Sequence, residues 1–69
     1  MMTPKQIRAA ARRSRAWVAA HANVSEPAAR VYEEAGPAAV TPRVRDALAP
    51  VYAQLANEMH RPPGGGAAA

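Results

Sequence analysis

The chain contains no cysteine and no phenylalanine, and only one tryptophan and two tyrosines among its 69 residues. Without cysteine there are no disulfides, no thiolate metal sites and no cysteine nucleophile. No segment approaches the run of about 18 apolar residues that a membrane-spanning helix needs. The N-terminal stretch is basic but lacks the apolar core and cleavage site of a secretory signal. The expected location is therefore cytoplasmic, which includes a particle assembled in the cytoplasm. Asn23-Val24-Ser25 matches a glycosylation sequon, but with no secretory context the match carries no weight, and Ser25 has a better use as a helix cap. No strand-like alternation occurs anywhere. The two Thr-Pro pairs, Thr3-Pro4 and Thr41-Pro42, are not followed by residues that align, so they mark no repeat.

What is abundant is alanine, with nineteen residues. Alanine favours helices but buries little area. The larger apolar side chains are few: chiefly Ile7, Trp17, Val18, Val24, Val31, Tyr32, Val40, Val44, Leu48, Val51, Tyr52, Leu55 and Met59. One small domain is the most this length can form. So thin a core, with no disulfide available, predicts stabilisation by a protein partner or by self-association.

Proline and hydroxyl residues punctuate the chain into an all-α protein of two to three short amphipathic helices. Thr3-Pro4, with Gln6 completing a capping box, opens a segment over 4–21. Ser25-Glu26-Pro27 opens a second over 26–35, which Gly36-Pro37 stops. Thr41-Pro42 opens a third over 42–60, with a kink predicted at Pro50. Residues 1–61 form the small helical domain, and 62–69 read as a flexible or docking tail rich in proline, glycine and alanine. In the third segment Val44, Leu48, Val51, Leu55 and Met59 share one apolar face. Together with Trp17 they are the predicted protein interface.

Charge is uneven. Of the net +4, residues 1–22 alone carry +5, while residues 23–40 carry −2. Lys5, Arg8, Arg12 and Arg15 form a stripe on the first segment in which like charges sit at helical spacing, an unfavourable arrangement in isolation. Three sources of negative charge compete for it: counterions, the glutamates Glu26, Glu33 and Glu34 of the second segment, and an external polyanion. Against the glutamates, Arg30 lies within helical reach of all three. Binding of nucleic acid by the stripe would be non-specific backbone contact, since Gln6 is the only side chain beside it suited to reading bases. A helix-turn-helix made of the second and third segments would place Thr41, Arg43 and Arg45 at the start of the recognition helix. The turn over 36–40 is long for that motif, and Pro50 would bend the reading helix.

Nothing resembles a catalytic or cofactor site. His21 and His60 have no ligand-like neighbours at helical spacing, and Glu33-Glu34 are adjacent, so their side chains diverge. The glycine run of the tail precedes no helix, unlike a phosphate loop. Trp17, Tyr32 and Tyr52 could stack on bases but lie on apolar faces, which favours packing. The basic helix has too little bulk to insert well into a membrane surface. The resulting expectation is a non-enzymatic structural or accessory subunit, without cofactor, metal or small-molecule substrate, that docks into a larger assembly such as a virus particle or nucleoprotein complex. The alternative is a small basic nucleic-acid-binding protein, regulatory and helix-turn-helix-like, touching phosphates through the first helix.

Overall fold

A computed structural model describes residues 2–60, and these form α1 (Pro4–Ala10), α2 (Arg15–Ala22), α3 (Glu26–Ala35), a 3-10 turn (Pro37–Ala39) and α4 (Pro42–His60). The expected tail at 62–69 lies outside the described residues. The fold is all-α, and α3 and α4 fall where the sequence places them. No helix in the described region is long and apolar enough to cross a membrane.

The segment expected as one helix over 4–21 is two helices with a corner between them. Its cause is local. Arg12 takes the left-handed conformation, φ 58°. Its amide donates to the Ala9 carbonyl at 3.0 Å and that of Arg13 to the Arg8 carbonyl at 3.1 Å, a Schellman closure. Ser14 then caps α2, its Oγ accepting from the Trp17 amide at 3.0 Å. At the start of α1 the predicted capping box is present, with Thr3 and Gln6 each satisfying the other's backbone amide.

The short helices wrap around α4, which packs against α1, α2 and α3. Buried between them are Val18, Ala19, Ala29, Tyr32, Leu48, Val51, Tyr52 and Leu55. Pro50 lies inside α4 on its exposed side, so the amide missing there leaves the Asp46 carbonyl without a helical partner away from the core.

This core corrects the expected interface. Leu48 (0% exposed), Leu55 (1%) and Val51 (7%) are sealed by the chain's own helices and offer no surface to another protein. Trp17 and Val44 are half-buried against the same core, and Met59 is half-buried as well. Alanine allowed this. Ala19 and Ala29 are buried in the core, and beside such small side chains a few large groups suffice to fill it.

Candidate nucleic-acid interface

Two helices and the turn between them make the most distinctive local structure. α2 ends as α1 does: Asn23 is left-handed at φ 58°, its amide donates to Ala20 at 3.2 Å, and the Val24 amide donates to Ala19 at 2.9 Å. Val24 packs against the core. Ser25 begins α3 at once, its Oγ accepting from the Ala28 amide at 3.2 Å. Only Asn23, Val24 and Ser25 separate the two helices. The small buried residues Ala19 on α2 and Ala29 on α3 let these helices pack together. The three-residue turn has the length of that in the DNA-reading helix-turn-helix.

With Ala29, Tyr32 and the Glu33 side chain turned inward, α3 presents Glu26, Pro27, Arg30, Val31 and Glu34 to solvent. Arg30 Nε lies 3.5 Å from Glu34 Oε2, and both side chains are more than half exposed. Val31 is 41% exposed, unusual for a residue of its size in this chain. Beside the turn, a groove of about 350 Å³ is rimmed by Asn23, Ser25, Thr41 and Arg43, over Ala28 and Val44.

The basic stripe is divided by the fold. Lys5 and Arg12 are exposed, with no ion pair among the described residues. Arg8 and Arg15 instead turn inward to one carboxylate, that of Glu33, whose side chain is fully buried. Arg8 Nε donates to Glu33 Oε2 at 2.6 Å and Arg8 Nη2 to Oε1 at 3.1 Å, a two-pronged contact. Arg15 Nε donates to Oε1 at 3.4 Å, and the Tyr52 hydroxyl to Oε2 at 2.5 Å. A further Arg8 nitrogen donates to the Arg13 carbonyl at 3.0 Å, tying the corner down. Glu33 alone of the three glutamates meets the stripe.

Burial by itself would raise the Glu33 carboxyl; the hydrogen bonds from Arg8, Tyr52 and Arg15 and the Arg8 charge outweigh it and hold the group below the ordinary glutamate value. Burial and the bond to Glu33 push the Tyr52 hydroxyl far above the usual tyrosine range. With four donors on its two oxygens, Glu33 has no free lone pair suited to acid–base work. It is a fastener joining α1, α2, α3 and α4.

The aromatic groups are likewise committed to packing. Tyr32 and Tyr52 stack with centroids 5.4 Å apart. Trp17 stacks on His21 at 4.4 Å, and the Arg13 guanidinium lies 4.8 Å from its ring centroid. The helix-turn-helix considered from sequence, on the segments now seen as α3 and α4, carries a 3-10 turn in its connection. The better-proportioned pair is α2 and α3. Sequence reasoning missed it because it weighed only the junction of the second and third segments, although the segments over 4–21 and 26–35 already met at this turn. The available signals were Ser14 as a cap, and Asn23, a residue tolerant of the left-handed conformation, two residues before the Ser25 cap. The chain matches no protein-family model, no curated protein and no solved structure.

Proposed function

We propose that this is a small non-enzymatic DNA-binding domain in which α2, the turn at Asn23–Ser25 and α3 act as a helix-turn-helix. The observation that carries this reading is the turn itself: three residues, closed by a left-handed Asn23 and a Ser25 cap, with α3 anchored inward by Glu33 and free on its other side. An α-helix fits the DNA major groove, which is about 12 Å wide. In such motifs the first helix crosses the backbone and the second reads bases with residues near its start. Here those are Glu26, Pro27, Arg30 and Val31, with Glu34 exposed one turn beyond Arg30. Lys5, Arg12 and Arg43, exposed and unpaired among the described residues, supply cations for phosphates. This set differs from the stripe expected of the sequence, since Arg8 and Arg15 are bonded to Glu33.

Fluorescence anisotropy with duplex DNA across a salt series tests it. Three phosphate contacts predict a slope of log affinity against log salt of roughly −3. Arg43→Glu with Lys5→Glu should flatten that slope. Absence of duplex binding at about 50 mM salt, where this term is large, would sink the reading.

A second reading, a helical subunit that self-associates or docks into a larger assembly, is supported by Val31 and Met2, large apolar side chains left exposed. It expects mass in sedimentation to rise with concentration and Val31→Asp to abolish the rise. A protomer mass at all concentrations removes the self-association form.

A further inference from the structure

The outward face of α3 is an odd one for a helix that meets DNA, because its charges are Glu26, Arg30 and Glu34, net negative. Glu34 already holds Arg30 at 3.5 Å, four residues along the helix, with the side chains 64% and 53% exposed. The order, arginine before glutamate, is the weaker one for a helical ion pair, so it opens at a cost of only tenths of a kcal/mol. Yet a bare phosphate is a poor replacement partner: if it captured Arg30, Glu34 would be left unpaired beside a second negative charge.

One kind of base pair resolves that conflict, whether the two side chains reach the same pair or neighbouring ones. In the major groove guanine shows two acceptors, O6 and N7, which suit a guanidinium, and cytosine shows the N4 amino donor, which suits a carboxylate. A rise of 1.5 Å per residue puts Arg30 and Glu34 about 6 Å apart along α3, within two base-pair steps of 3.4 Å.

We propose that Arg30 and Glu34 together select G·C pairs, Arg30 taking guanine and Glu34 taking the cytosine amino group, while Glu34 suppresses capture of Arg30 by phosphate. This rests on the DNA-binding reading and names the class of duplex that reading would require.

The test is selection from a random duplex pool with the full chain, followed by anisotropy on the enriched duplex and on random-sequence DNA. The wild-type chain should enrich G·C pairs at the positions α3 protects. Arg30→Ala should lower affinity for the enriched duplex roughly 5- to 150-fold and erase the guanine preference. Glu34→Gln should raise affinity for random DNA several-fold and relax the cytosine preference, so the ratio of specific to random binding falls. Thermal melting of both variants should stay at the wild-type value, since both side chains are exposed. Duplex binding without any G·C preference, or a ratio unchanged by Glu34→Gln, would overturn this proposal and leave DNA binding standing. No duplex binding at all would overturn both.

Discussion

Arg12 sits at φ 58°, a conformation that an L-residue with a long side chain enters only at a cost of about 1–2 kcal/mol. It is there because the corner between α1 and α2 requires a left-handed residue, and Asn23 meets the same need at the next corner with a side chain that tolerates it. Arg12→Gly should therefore stabilise the fold by about 1 kcal/mol, a rise of several degrees in melting temperature for a chain of this size. Because Arg12 is also one of the exposed cations, the same variant should bind duplex DNA less tightly. A stability gain and an affinity loss from one substitution would separate the two roles. If melting temperature fell instead, the arginine side chain would have to make a stabilising contact.

At the scale of elements, Pro50 is the informative residue. It interrupts α4 on the exposed side, leaving one backbone bond unmade. Pro50→Ala should restore that bond and stabilise the protein by about 1–3 kcal/mol, read by chemical denaturation. Loss of stability would mean that the packing of Leu48, Val51 and Leu55 depends on the proline at this position. The punctuation of α3 and α4 was legible in the sequence because Ser25, Gly36, Thr41 and Pro42 carry it in their backbone chemistry. The corner in 4–21 was not. Ala11, Arg12 and Arg13 contain neither glycine nor proline, and the apolar period runs through them. What breaks the helix is a distant demand, the convergence of Arg8 and Arg15 on Glu33 from both sides of the corner.

For the whole molecule, Glu33 is the point through which all four helices are connected. Breaking a buried ion pair by removing one partner costs about 3–5 kcal/mol, a large share of the 5–15 kcal/mol that small proteins possess. Glu33→Ala should leave the chain largely unfolded at physiological temperature by circular dichroism. The wild-type protein should also be acid-sensitive. A carboxyl held below its ordinary value adds stability in full above the unfolded value near 4.5, and that stability is lost as pH falls through the lower folded value. Melting temperature should hold from neutral pH down to about 5 and drop below 4. An acid limb with no drop would contradict the network. In the opposite direction, the buried Tyr32 and Tyr52 hydroxyls favour the neutral form, so stability should decline above the ordinary tyrosine value of 10. Because the core closes within one chain, melting should not depend on protein concentration; a melting temperature that rose with concentration would favour the self-association reading instead.

Sequence alone determined that the chain is helical, where α3 and α4 begin, and that positive charge gathers near the N-terminus, because capping, proline geometry and formal charge are properties of neighbouring residues. Only the tertiary structure decided which arginines face water and which meet Glu33, and whether Leu48 and Leu55 lie inside or on a face left open. Those outcomes depend on which side chains meet across helices, and the residues that meet are far apart in the chain.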